Sequence, residues 1–219
     1  MAISNPGFLL DLDGLLINSE SLSEIAFEKM CKKLGCEFTQ DYHASIRGTK
    51  KELWSAGLVK EFSLEVSSQE VAKLHDALLL SEMDHSVNLM PGAIELLDWI
   101  DFRGYPKALV TSSDSVYAKR YLEKLGLLER FMIFVTSEDV KNGKPDPEPY
   151  QIGAQRLERV PSNCIVFEDS VNGALSGKSS GATVVAVPSS PSDKERMSVA
   201  DYVLSSLLES ISVLENLGL

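Results

Sequence analysis

The sequence predicts an α/β fold, a doubly wound parallel sheet that carries one inserted helical domain. Three observations predict it. Five short apolar runs lack the alternation of half-exposed strands and so suit strands covered on both faces. Stretches of helical periodicity separate most of them. One long segment, between the first run and the second, is helical throughout.

The first run, Phe8-Leu9-Leu10, leads straight into Asp11-Leu12-Asp13-Gly14. Between Ile17 and about Met90 only helical patterns follow. Phe27, Met30, Cys31 and Leu34 form one stripe and Val71, Leu74 and Leu78 another, with Ser67 and Glu70 spaced as a capping box. Residues 17–90 are therefore expected to form an all-α cap, and residues 1–16 and 91–219 the core. The connections near Leu16–Glu20 and Asp84–Met90 are the expected hinges, and Met90-Pro91-Gly92 marks the return to the core.

From there strands and helices alternate. Ala93, Leu96, Leu97 and Ile100 form a stripe before Lys107–Val110, which ends at Thr111-Ser112-Ser113-Asp114. Ala118, Tyr121, Leu122 and Leu125 form the next stripe, closed by Gly126. Met132–Val135 reads as the third strand and ends at Thr136-Ser137-Glu138-Asp139. Tyr150, Gly153, Ala154 and Leu157 precede Cys164–Phe167, which runs into Glu168-Asp169-Ser170. Gly181 stops the last of these helices, and Thr183–Val187 is the fifth strand. Ligands of doubly wound sheets bind beyond the carboxyl ends of the strands, where these polar clusters fall.

Composition narrows the class. With 44% hydrophobic and 24% charged residues, the 219-residue chain is ordinary globular material. Its net charge of −11 argues against nucleic acid and anionic membranes as partners. No apolar run reaches the ~18 residues of a membrane span, and Met1–Gly7 has no signal-like pattern. Three cysteines, Cys31, Cys36 and Cys164, fit no disulfide framework. A cytoplasmic, soluble monomer is the expectation. An anionic ligand would need a metal ion and local cations to reverse the field inside its site.

The first strand end offers Asp11 and Asp13, with Gly14 letting the chain turn away at once. The fourth offers Glu168 and Asp169. Four carboxylates at neighbouring strand ends repel one another unless a cation sits among them, and oxygen-only ligands favour Mg²⁺. Thr111 and Ser112, ahead of a helix, suit an anion, while Ser113, Asp114 and Ser115 all qualify as that helix's N-cap. Two prolines in Gly143-Lys144-Pro145-Asp146-Pro147 stiffen the loop that carries Lys144. His43, His75 and His85 read as surface or packing residues, and Trp54 and Trp99 as packing.

In this order the motifs Asp11-Leu12-Asp13-Gly14-Leu15-Leu16, Thr111-Ser112-Ser113, Gly143-Lys144-Pro145-Asp146-Pro147 and Glu168-Asp169-Ser170 resemble those of the haloacid dehalogenase superfamily. The nearest branch is the one containing β-phosphoglucomutase and many sugar-phosphate phosphatases, with a Rossmann-like core and a helical cap. The resemblance covers essentially the whole chain. It implies a Mg²⁺-dependent phosphatase of small phosphate monoesters. Asp11 would take the phosphoryl group. Asp13 would protonate the leaving alcohol and then deprotonate water. The resemblance places Mg²⁺ on Asp11, the Asp13 carbonyl, Asp169 and Glu168. It assigns phosphate oxygens to Thr111, Ser112 and Lys144, with Lys144 also holding Asp11.

Within the cap, Ile46-Arg47-Gly48-Thr49-Lys50-Lys51 resembles the specificity loop of this branch. Arg47 and Lys51 are its candidate grips on the substrate, and Glu20 joins them as a candidate contact. A phosphosugar mutase is the alternative. Ser23 stands where the β-phosphoglucomutases carry a His, and Asn18 where the branch commonly has Asp, and both departures favour the phosphatase. A signalling receiver domain would be about half this length and lack a cap. True dehalogenases lack the second Asp of the first motif.

Overall fold

A computed structural model of the chain describes residues 5–39, 42–43, 46, 51–189 and 194–219. The chain divides into two compact units, residues 1–18 with 88–219 and residues 19–87.

The larger unit is built on a six-stranded sheet, every strand parallel to its neighbours, in the order β3-β2-β1-β4-β5-β6. The strands are β1 (Gly7–Leu10), β2 (Lys107–Val110), β3 (Phe134–Val135), β4 (Cys164–Glu168), β5 (Thr183–Ala186) and β6 (Tyr202–Val203). The expected third strand is shorter than its apolar run, because Met132 points into solvent, 95% exposed, and only Phe134 and Val135 pair with β2. The sixth strand, two half-buried residues, lies beyond the five expected.

Strand β1 is central. Phe8 pairs with Lys107 on one side and with Ile165 on the other. The chain adds strands outward from β2 to β3, then returns to the far side of β1 for β4, so the order reverses at β1. A sheet that reverses leaves a crevice at the carboxyl ends of its central strands.

Alternation along β1 directs neighbouring side chains to opposite faces. Leu9 meets helix α6 (Glu148–Arg156), whose Gly153 sits so close that a Cβ would lie 2.9 Å from Leu9 and 3.0 Å from Val110. Phe8 faces the other way, edge-on to Trp99 of α4 (Ala93–Phe102) at 6.2 Å and stacked on Phe167 at 6.4 Å. Both faces are thus covered by helices, and Phe8, Leu9 and Leu10 are wholly buried. The other α-helices of this unit among the described residues are α5 (Ser115–Lys124), α7 (Val171–Ser180) and α8 (Ser210–Asn216).

The smaller unit contains α1 (Ser19–Leu34), α2 (Lys51–Glu61) and α3 (Ser68–Ser86). The Ser67 side chain accepts from Glu70 N, and Glu70 returns a bond to Ser67 N, so the capping box closes in both directions. Phe27, Met30, Cys31, Leu58 and Val71 form its buried core. His43 and His75 are buried against that core, their rings 5.1 Å and 6.0 Å from Phe27, with His75 also 5.3 Å from Trp54. Lys51 donates to both oxygens of Asp76, at 2.6 and 2.8 Å. Among the described residues no helix is long and apolar enough to cross a membrane.

Candidate active site

The parallel register sets the geometry at the crevice. Leu10 pairs with Phe167, and Asp11 N donates to Phe167 O, so Asp11 emerges beside Glu168. On the other flank Thr111 N donates to Val135 O, which holds the end of β2 in line. Beyond Asp11 the chain curls back on itself. Gly14 N donates to Ile17 O, and Leu16 N and Ile17 N both donate to Leu12 O. Gly14 makes this curl at φ 77°, a left-handed conformation that a side chain disfavours.

Lys144 reaches the centre of the crevice from the loop before α6. Its Nζ donates to Asp11 Oδ1 at 2.6 Å, to Glu168 Oε1 at 2.5 Å and to Val110 O at 3.0 Å. The side chain is buried, as are those of Asp11 and Glu168. Burial works against the ammonium, but attraction by Asp11 and Glu168 outweighs it and raises the Lys144 pKa above its usual value. Removal from water pushes the Asp11 carboxyl up to about 8 against the pull of Lys144, with Glu168 and Asp13 adding to the rise. One ammonium does not neutralise this group of carboxylates.

Glu168 is wholly buried and accepts from five donors. Lys144 Nζ and the Tyr150 hydroxyl share Oε1, while Asp169 N, Ser170 N and Ser170 Oγ converge on Oε2. That fills the roughly four lone-pair positions of a carboxylate. Burial, with the Glu168 charge next, raises the Tyr150 hydroxyl well above its usual range, so it stays a donor.

Asp13 is held differently. Its Oδ2 accepts from Ser113 Oγ at 2.7 Å and from Thr111 Oγ1 at 3.3 Å, and its Oδ1 accepts from the Tyr117 hydroxyl at 3.0 Å. Thr111 Oγ1 itself accepts from Ser113 N. The N-cap of α5 is Asp114, whose side chain accepts from Tyr117 N. That leaves the Ser113 hydroxyl for Asp13.

Carboxylate oxygens of Asp11, Glu168 and Asp169 all lie within 4.8 Å of one another and are buried. An oxygen-only, incompletely neutralised donor set of this kind fits a hard divalent cation such as Mg²⁺.

The structure brings Asp11, Asp13, Thr111, Lys144, Glu168 and Asp169 to one end of the sheet. Ser112 lies exposed in the loop between Thr111 and Ser113. Glu20 and Lys51 belong to the smaller unit, at the first turns of α1 and α2, and Arg47 lies outside the described residues. Sequence reasoning missed Ser113, Tyr117 and Tyr150 as partners of the carboxylates. Tyr150 was legible only as one apolar residue of a helical stripe.

The family described as haloacid dehalogenase-like hydrolase matches residues 8–187. Hexitol phosphatase A of Escherichia coli is 37% identical over 209 residues, covering 94% of this chain and 93% of that protein. The validoxylamine A 7'-phosphate phosphatase of Streptomyces hygroscopicus subsp. limoneus is 33% identical over 201 residues, covering 92% and 93%. Among solved structures, a provisionally named β-phosphoglucomutase from Thermotoga maritima superposes with a TM-score of 0.83 at 28% identity, covering 96% of this chain and 99% of that one. The chain belongs to the haloacid dehalogenase-like hydrolase family and is an enzyme of that class.

Proposed function

We propose that this chain hydrolyses small phosphate monoesters, sugar and sugar-alcohol phosphates foremost, with Mg²⁺ and through a phosphoryl group carried transiently on Asp11. The observation that carries this reading is a pair of carboxylates held in two different ways. Asp11 is gripped by the Lys144 ammonium at 2.6 Å, whereas Asp13, two residues on, is held by three hydroxyls. The first arrangement opposes the burial that raises Asp11 and, completed by a bound cation, suits a carboxylate that must attack as an anion. The second suits one that must pass a proton. The substrate class is supported by two of the relatives, named for hexitol and validoxylamine A 7'-phosphate.

Asp11, Asp169 and the backbone carbonyl of Asp13 would hold Mg²⁺. Glu168 lies within reach, but both its oxygens already carry hydrogen bonds. The bound ion offsets the charge of an anionic ester meeting a carboxylate. Asp11 forms a bond to phosphorus as the bond to the substrate alcohol breaks, and Asp13 gives its proton to the departing oxygen. Water then attacks phosphorus while Asp13 takes up its proton. The bond to Asp11 breaks, inorganic phosphate leaves, and Asp13 is again protonated. Lys144, Thr111 and Ser112 bind phosphate oxygens, and Lys144 keeps Asp11 aligned by its second bond to Glu168. Residues 19–87 we assign to substrate choice, with Glu20, Arg47 and Lys51 as the candidate contacts. The setting this implies is a cytoplasmic monomer acting on small molecules.

The test is phosphate release from a panel of hexitol, hexose and pentulose phosphates, with Mg²⁺ and with EDTA, while isomerised sugar phosphate is followed in the same samples. Mg²⁺-dependent phosphate release that disappears in Asp11→Asn supports the reading. Isomerised product with little free phosphate would replace it with a mutase. Undiminished turnover in Asp11→Asn would remove Asp11 as nucleophile.

A further inference from the structure

We infer that Tyr117 and Ser113 are positioning residues for Asp13, fixing the place and plane of its carboxyl in the crevice. The inference rests on the phosphatase reading above and concerns how the proton is delivered.

Tyr117 is a preset donor. Asp114 accepts from its backbone N–H at 2.8 Å and so fixes the start of α5. One turn along the same helix, the ring of fully buried Tyr121 meets the Tyr117 ring edge-on at 4.8 Å. With backbone and ring both held, the Tyr117 hydroxyl is delivered to Asp13 Oδ1 at 3.0 Å. Ser113 Oγ reaches Oδ2 at 2.7 Å from the loop between β2 and α5. The two contacts approach different oxygens, so together they fix both the position and the plane of the carboxyl.

The chemistry of these partners matters as much as their placement. A hydroxyl is both donor and acceptor and rotates to suit. It can donate to an Asp13 carboxylate and, once that group is protonated, turn and accept from it. An ammonium or a backbone N–H can only donate, and so favours the anion over the protonated form. Lys144, donor only, is accordingly spent on Asp11, and hydroxyls on Asp13. Oδ1 accepts from Tyr117 alone among the described contacts, which leaves its second lone-pair position to carry the proton that passes to the leaving alcohol.

Tyr117→Phe and Ser113→Ala test this with two esters that differ in their need for a proton. An alkyl phosphate, such as a hexitol phosphate, must expel a strongly basic alkoxide. p-Nitrophenyl phosphate expels a phenolate stable without protonation. The measure is kcat/KM, which reports events up to departure of the leaving group. In each variant kcat/KM for the hexitol phosphate should fall by about ten- to a hundredfold, part of what a general acid supplies, while that for p-nitrophenyl phosphate changes by less than about threefold. Equal losses on both esters would reduce the two residues to a structural role and overturn the inference, as would no loss on either. A wild-type chain that releases phosphate from neither ester in Mg²⁺ would overturn the phosphatase reading and this inference with it. Wild-type hydrolysis with an unchanged ratio in both variants would overturn this inference alone.

Discussion

Gly173, in the first turn of α7, stands directly against the carboxyl group of Glu168. A Cβ at Gly173 would lie 1.9 Å from the Glu168 carboxyl carbon, so the absence of a side chain there creates the space the carboxylate fills. Gly173→Ala should displace Glu168 and, with it, the second anchor of Lys144. We expect a loss of about 1–3 kcal/mol in stability from overpacking and a fall in kcat of roughly a hundredfold, as misplaced catalytic groups cause. Denaturant melts and steady-state kinetics check both. A stable, fully active Gly173→Ala enzyme would show that Glu168 can move without consequence.

Tyr150→Phe tests the same carboxylate from the other side. It keeps the buried ring and deletes only the hydroxyl that shares Glu168 Oε1 with Lys144. A hydrogen bond to a buried charge is worth about 1.5–3 kcal/mol, and a loss of that size is expected in urea unfolding. Activity should fall mainly in kcat, with KM little changed, because the substrate contacts themselves remain.

The helical unit carries its own stability test. Ser67→Ala removes the side chain that accepts from Glu70 N at the start of α3. The expected cost is about 1 kcal/mol, read by hydrogen exchange of amides in residues 68–86. Glu70→Gln retains the return bond to Ser67 N and should cost less.

His75 should make this unit sensitive to acid. Burial lowers its pKa, opposed by nearby Asp76 and reinforced by Lys51 and His43, and its Nδ1, 3.8 Å from Asp76 Oδ1, finds no hydrogen-bond partner among the described residues. A histidine held neutral in the fold takes up a proton more readily when unfolded. Stability is therefore intact above the ordinary value of 6.5 and lost as pH falls through it. Amide protection in residues 19–87, measured against the intrinsic exchange rate at each pH, should fall as pH drops from about 7 to about 5. His75→Gln should flatten that dependence. An unchanged slope in the variant would assign the acid sensitivity elsewhere.

Much of this was legible in the sequence, for identifiable reasons. Buried parallel strands are nearly pure apolar runs, so β1, β2, β4 and β5 stood out, and the polar residues at their ends marked the crevice. The capping box of Ser67 and Glu70 is a purely local device, and it appears as spaced. Tyr202 and Val203 escaped because a two-residue edge strand leaves no periodicity to read. Met132 was misjudged because apolar character alone does not separate a strand from the exposed residue beside it. At the site, Asp11, Lys144 and Glu168 could be named from motifs, whereas Tyr117 and Tyr150 could not. Both sit on helix faces that read as packing, and only the tertiary fold brings their hydroxyls to carboxylates encoded elsewhere.

The central place of β1 has a consequence for how the molecule is made. Phe8 leaves the ribosome before its neighbours in the sheet, Lys107 and Ile165, which follow only after the whole helical unit has been synthesised. Such distant pairings close late, since the entropy of a long loop must be overcome before any contact compensates for it. The helical unit, contiguous in sequence, can form while β1 still waits. Asp11 therefore meets Glu168 only once β4 has been made, and a nascent chain stalled before β4 carries Asp11 without one of the two carboxylates that hold Lys144.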